Sequence, residues 1–261
     1  MDYNKLMSME NKVCVVTGGA GYLGSACAKA LRDFGGTVIS LDLAYSNGVE
    51  ADSDTCDMAL GCDLSSSDSI RDCFKAVADR YGRIDVLVNC GVYGAGYGKD
   101  SRIEYMEDDV FFKGIEGSLG VVFRGIREAV PFMKDNGGTI VNFCSMYGLV
   151  SPDLRIYGED NPQMNPPNYG AGKAGVDQIT RYAACSLAKY GIRVNAVTPG
   201  PFPSPKNSTD TEFVRALENK TMLGRIGKNY EIAGAVLLLA SDASSFTTGA
   251  NFVVDGGWTA W

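Results

Sequence analysis

The sequence predicts an α/β fold, with a doubly wound parallel sheet of about seven strands and helices on both faces, in one domain over residues 1–261. Short runs rich in β-branched residues recur along the whole chain. They are continuously apolar rather than alternating, as in strands covered on both faces. Longer amphipathic stretches separate them, and strand–helix alternation means parallel strands joined by right-handed crossovers. No Ser/Pro linker, internal repeat or composition shift marks a second domain.

Taken in order, strands are expected at 13–17, 38–42, 59–63, 84–89, 139–144, 194–198 and 252–255. The amphipathic stretches place helices at 22–34, 67–81, 120–134, 169–190 and 230–240. Three segments break the rhythm. Residues 44–57 are short and polar, so any helix there is brief. Residues 91–100 hold Gly91, Gly94, Gly96 and Gly98 and read as a loop. Residues 151–167 hold Pro152, Pro162, Pro166 and Pro167 among Asp153, Glu159 and Asp160. Loops of this length are usually functional or disordered, and this one adjoins the strongest chemical motif of the chain.

Composition excludes several functions. With 24 Lys and Arg against 31 Asp and Glu, the net charge of −7 lacks the basic footprint of a nucleic-acid binder. No apolar run approaches a membrane span, and residues 1–10 lack the apolar core of a signal peptide. There are 8 Cys and no His. Ser-His-Asp catalysis, Cys-His catalysis and His-ligated zinc are therefore impossible. No two cysteines stand in a C-x-x-C spacing, so no metal is expected. Thiols in apolar runs, such as Cys14, point to reduced, buried cysteines in a cytoplasmic protein. Any general base must be a carboxylate, Lys, Tyr, Cys or the substrate.

The first strand runs into Thr17-Gly18-Gly19-Ala20-Gly21-Tyr22-Leu23-Gly24, which opens a helix. Glycines let the backbone turn tightly and approach a diphosphate, and the helix N-terminus offers free N–H groups. The second strand ends at Asp42, some two dozen positions on. A carboxylate there accepts hydrogen bonds from adenosine ribose hydroxyls and repels a 2′-phosphate. From Asp33 through Ile70 no Lys or Arg would neutralise such a phosphate, so NAD is expected rather than NADP.

Tyr169 and Lys173 are four residues apart in a helical stretch and share one face. A free phenol is a poor base at neutral pH, but a nearby ammonium and a cationic nicotinamide favour the phenolate. Tyr169 is then placed to take the proton of a secondary alcohol as hydride leaves. Upstream, Ile140-Val141-Asn142-Phe143-Cys144-Ser145-Met146-Tyr147-Gly148 is a buried strand ending in a polar turn, where Ser145 can hydrogen-bond the substrate oxygen. Downstream come Arg193-Val194-Asn195-Ala196-Val197-Thr198-Pro199-Gly200 and Asp255-Gly256-Gly257.

In this order and spacing the motifs resemble the short-chain dehydrogenase/reductase superfamily, in its short single-domain branch, from about Lys12 to Trp258. The resemblance implies a Rossmann-type fold, an NAD(H)-dependent oxidoreductase and a homodimer or homotetramer paired through the helices near 120–134 and 169–190. It implies Ser145, Tyr169 and Lys173 as catalytic residues, with Lys173 also binding the nicotinamide ribose. Gly18, Tyr22, Leu23 and Gly24 would line the diphosphate. Asp63 and Leu64 would touch adenine, and Asn89, Cys90 and Gly91 would stand behind the adenosine ribose. Pro199, Gly200, Phe202 and Ser204 would hold the carboxamide side of nicotinamide.

The chain departs from the family pattern in three places. The glycine loop, with Gly21 and Tyr22, has the spelling of the longer sugar-nucleotide epimerase and dehydratase branch, which keeps that chemistry as an alternative. Gly117 stands where the family has an Asn that relays protons to the lysine. A relay would have to run through Ser118, Glu116 or backbone carbonyls, or a protein that binds NAD as a sensor has lost catalysis. Ser145 and Tyr169 lie about twice the usual distance apart, and the excess is the 151–167 insertion. Its Asp153, Arg155, Glu159, Asp160 and Asn161 point to polar groups near the substrate. A sugar, polyol or hydroxy acid is therefore expected, with a hydroxysteroid as the alternative if Met146, Tyr147, Phe202 and Met222 line an apolar pocket. The C-terminal Trp258 and Trp261 would suit an oligomer interface.

Overall fold

The computed structural model describes residues 5–96, 102–157 and 164–261. The strands are β1 (Val13–Thr17), β2 (Thr37–Asp42), β3 (Met58–Gly61), β4 (Val86–Asn89), β5 (Gly138–Phe143), β6 (Ile192–Pro199) and β7 (Asn251–Val254). They form one sheet in the order β3-β2-β1-β4-β5-β6-β7, parallel throughout. The helices are α1 (Tyr22–Asp33), α2 (Leu43–Ser46), α3 (Ser67–Tyr81), α4 (Asp108–Ile115), α5 (Val121–Met133), α6 (Pro167–Leu187), α7 (Thr211–Glu218) and α8 (Asn229–Ala240). A π-helical turn, Glu116–Gly120, joins α4 to α5 without a break.

Period-two alternation sorts the strand residues into two cores, one on each face of the sheet. Val13 and Val15 of β1, Ile39 and Leu41 of β2, and Leu87 of β4 meet α3, α5 and α6. Cys14 and Val16, Val38, Val86 and Val88 meet α1 and α8 on the other face. Burial on both faces is why these strands read as unbroken apolar runs. The strand order reverses between β1 and β4, whose ends are matched at Thr17 and Asn89. Ligands of such sheets bind in the crevice that opens beyond the strand ends at this point.

Local chemistry fixes the element ends. Ser66 caps α3 through its side chain, and Gly82 closes it in the left-handed region at φ 81°. Pro167 starts α6, where a missing N–H costs no bond. Boundaries fall close to the sequence expectation, but α4, the π turn and α7 were not expected. Gly114, Gly117 and Gly120 lower helix propensity through that stretch, and tertiary packing, chiefly against α6, holds it helical. Among the described residues no helix is long and apolar enough to cross a membrane.

The same reasoning identifies a stabilising change. Gly234 is exposed within α8, and a Cβ there would meet nothing within 4 Å. Gly234→Ala should stabilise the fold by about 0.4–1 kcal/mol, raising Tm in a calorimetric scan by roughly 1–4 °C.

Candidate active site

A cleft of about 810 Å³ opens beyond the C-terminal ends of β1, β2 and β4. Glycine contacts shape its floor. Gly18 has φ 68°, and a Cβ there would lie 2.6 Å from the Gly91 Cα. A Cβ on Gly24 would collide with the Gly18 carbonyl oxygen. Bare backbone from β1, α1 and the end of β4 thus meets in one place, with Tyr22 and Leu23 at the start of α1 also facing the cleft. At one end, Asp42 accepts from the backbone N–H of Ala44 at 3.0 Å and of Ala20 at 3.2 Å, which ties β2 to the glycine loop. Asp63 accepts from the Ser65 hydroxyl and backbone N–H, bonds that hold its carboxyl below the usual carboxylate range. Leu64 packs over Gly91. At the other end stand Tyr169, Lys173, Pro199, Phe202 and Ser204.

This donor set fits a dinucleotide: a cradle that side chains would fill, carboxylates at one end and the Tyr–Lys pair at the other. Two expected contacts are placed differently. Asn89 does not line the cleft; its amide donates to Asn142 Oδ1 at 2.9 Å beneath the floor. Gly200 faces the adjoining cavity, packed so closely on Asp255 that a side chain would strike it. Tyr93, Lys113 and Asn207 line the cleft without having been singled out in the sequence. Nothing local marks them, because α4 and the short turn at 205–208 bring them there.

The catalytic corner is assembled from β5 and α6. Lys173 is only 3% exposed, and its Nζ donates to the Phe143 carbonyl at 2.6 Å. The ammonium lies 5.8 Å from the centroid of the Tyr169 ring. Below them Asn142 Nδ2 donates to Thr180 Oγ1 at 2.9 Å, and Thr180 donates to the Val176 carbonyl at 2.8 Å. This joins β5 to α6, and the Asn89 bond extends the tie to β4. Gly148 brings the turn after β5 against the backbone at Lys173; a Cβ there would lie 2.8 Å from the Lys173 carbonyl carbon. Ser145 Oγ accepts from the Tyr147 N–H at 3.2 Å, which leaves its own hydrogen for an acceptor in the cavity.

At Gly117 a Cβ would collide with the Tyr93 carbonyl, and the Gly117 carbonyl accepts from the Tyr93 N–H at 3.1 Å. The site therefore has no room for the side chain that the resemblance puts there. The neighbouring Ser118 is fully buried, abuts Gly172 beside Lys173, and donates to the Gly114 carbonyl at 2.7 Å.

A second cavity of about 450 Å³ shares Tyr169, Phe202, Pro203 and Asn207 with the cleft. Ser145, Met146 and Tyr147 line it from the turn after β5, Tyr157 and Asn165 from the insertion, and Phe213 and Leu217 from α7. Tyr157 donates to or accepts from the Tyr147 hydroxyl at 2.7 Å, and its ring lies 5.5 Å from that of Phe213. Asp153 and Arg155 do not reach this cavity; Asp153 pairs with Arg155 and with Lys220 at 2.8 Å on the surface. Glu159, Asp160 and Asn161 lie outside the described residues. Met222 packs on Gly257 and lines neither the cleft nor this cavity. Trp258 is buried against Tyr147 at 6.3 Å, already enclosed within the protomer, whereas Trp261 is exposed.

Electrostatics narrows the choice of base. Burial pushes the Cys90 and Cys144 thiols up to about 12, so neither is a thiolate at neutral pH. Burial also raises the Tyr147 phenol and lifts that of Tyr157 to about 12. Asp42 and Asp63 stand at the far end of the cleft, and Lys173 is tied to a carbonyl. Tyr169 is left where cleft and cavity meet.

The chain matches the family described as enoyl-(acyl carrier protein) reductase over residues 19–259. It is 36% identical to the 3-oxoacyl-[acyl-carrier-protein] reductase FabG of Thermotoga maritima, over 96% of this chain and 99% of that one. It is 34% identical to the trans-4-hydroxycyclohexanecarboxylate dehydrogenase of Sinomonas cyclohexanicum, over 95% and 93% of the two chains. A short chain dehydrogenase from Leptospira borgpetersenii, solved with bound NAD+, superposes with a TM-score of 0.86 at 28% identity, covering 99% of this chain and 97% of that one.

Two outcomes are expected from these contacts. Gly117→Ala and Gly117→Asn should each lower stability, by about 1–3 kcal/mol for the alanine, read by denaturant titration. Asp42→Ala should weaken NADH binding roughly tenfold or more in a fluorescence titration and bring NADH and NADPH affinities closer together.

Proposed function

Because this chain belongs to the short-chain dehydrogenase/reductase superfamily and is an NAD(H)-dependent oxidoreductase of CH–OH groups, we propose that Tyr169, Lys173 and Ser145 interconvert a secondary alcohol and a ketone on a sugar, polyol or hydroxy acid. The observation that carries the assignment of roles is the position of Tyr169, between the cleft and the smaller cavity, with the buried Lys173 ammonium beside its ring.

When bound, NAD+ supplies the acceptor for the hydride of the carbinol carbon. Ser145 Oγ donates its hydrogen to the substrate oxygen and orients it. Tyr169 Oη takes the hydroxyl proton as the carbonyl forms, and in the reverse direction returns it to the alkoxide. Lys173 Nζ, pinned by the Phe143 carbonyl, places a fixed positive charge beside the phenol that takes and returns the proton. Asp42 and Asp63 serve the adenosine end. Relatives with 3-oxoacyl and hydroxycyclohexanecarboxylate substrates in their names support secondary-alcohol chemistry but differ in what they accept.

The protein is further assigned to the cytoplasm, acting as a homodimer or homotetramer. The exposed rings of Phe123 on α5 and Tyr182 on α6 support pairing through those helices.

Tyr169→Phe should cut turnover about 10²–10⁴-fold, followed as NADH appearance with a panel of secondary alcohols, while NADH affinity stays within a few-fold. Retention of turnover in Tyr169→Phe would overturn the assignment of the base.

A further inference from the structure

We infer that the cavity beside Tyr169 selects an uncharged, polyhydroxylated substrate, and that Tyr157 and Asn165 of the 151–167 insertion recognise a hydroxyl remote from the reacting carbinol. The inference rests on the oxidoreductase reading above and narrows its substrate class.

Ser145 and Tyr169 mark the reacting end of the cavity. Away from them, its hydrogen-bonding groups are the hydroxyls of Tyr147 and Tyr157 and the carboxamides of Asn165 and Asn207. All are neutral. The two tyrosine hydroxyls are 2.7 Å apart and share one hydrogen, so whichever accepts keeps its own hydrogen to donate. Asn165 Oδ1 is enclosed with no hydrogen-bond partner. An enclosed carbonyl oxygen left unpaired is costly, and Asn165 is one of the residues that line this cavity. A wall that holds both a hydroxyl donor and carboxamide groups suits a hydroxyl, which both gives and takes a hydrogen bond.

The competing substrate classes fit this wall poorly. A carboxylate only accepts, so it would leave Asn165 Oδ1 unpaired. Among the described residues lining the cavity there is no Lys or Arg to meet a carboxylate. A hydroxysteroid brings few hydroxyls on a large apolar skeleton, and most of it would desolvate these polar groups without bonding them. A polyol or neutral sugar brings a hydroxyl at nearly every carbon.

The test compares kcat/KM with NAD+ across open-chain polyols, neutral ring sugars, the same compounds deoxygenated away from the reacting carbon, the matching hydroxy acids, and hydroxysteroids. The inference expects a polyol or sugar to be the best class, roughly tenfold or more above its deoxy analogue. The two polyhydroxyl arms tell the open form from the ring. Tyr157→Phe and Asn165→Ala should each shrink that preference by about tenfold, through KM rather than kcat, with NADH affinity held. If Tyr157→Phe does not fold, Asn165→Ala carries the same reading. A preference for hydroxy acids overturns the inference alone, as does a deoxy analogue that works equally well or a preference that survives both variants; a preference for steroids overturns the proposed substrate class with it and leaves the oxidoreductase reading. No turnover of any class by a wild-type protein that binds NADH overturns the oxidoreductase reading with it.

Discussion

The site depends on one buried cation and the carbonyl that holds it. An ammonium taken out of water is expensive unless its hydrogens are used and its charge is answered. The bond from Lys173 to the Phe143 carbonyl meets part of that need, and it also fixes the distance between the end of β5 and the second turn of α6. Everything chemical is hung from those two elements. Ser145 follows Phe143 by two residues, and Tyr169 precedes Lys173 by one helical turn. The neutral ladder of Asn89, Asn142 and Thr180 runs beneath them and makes β4, β5 and α6 one rigid block. Asn89 therefore acts from below the floor of the cleft, setting the end of β4 on which Gly91 meets Gly18.

Much of this was legible in the sequence because the informative residues are local. A turn that must pass backbone against backbone needs glycine, so the Gly18–Gly24 loop showed itself. A helix that presents two groups on one face needs them four apart, so Tyr169 and Lys173 did as well. Strands buried on both faces are dominated by apolar residues, and all seven strands were readable. What stayed hidden was set by tertiary contact. The helix through Gly114, Gly117 and Gly120 has poor propensity, and tertiary packing, chiefly on α6, explains it. Tyr157 and Asn165 gave no signal, since their meaning comes from Tyr147 and Phe213, distant in the chain. Of the insertion's charges, Asp153 and Arg155 satisfy each other at the surface and do not line the cavity.

The absence of histidine fits the electrostatics of the cleft. The chemistry uses a phenol beside a fixed ammonium, and neither needs a group that titrates near neutrality. The cysteines add no rival base, because burial keeps those nearest the site protonated. No kinetic pKa of this enzyme can belong to an imidazole.

The way the insertion is docked bears on how such a loop can be inherited. Tyr157 bonds Tyr147, which follows β5, and its ring rests on Phe213 of α7. Tyr147 in turn abuts Trp258 near the C-terminus, and Asp153 is held by Lys220. The wall is thus a joint product of four separated stretches of chain. Transplanting residues 151–167 alone into a related scaffold would deliver a loop without its seat. The insertion, α7 and Trp258 pack as one unit around Tyr147, so a substitution in any one of them bears on the seating of the other two.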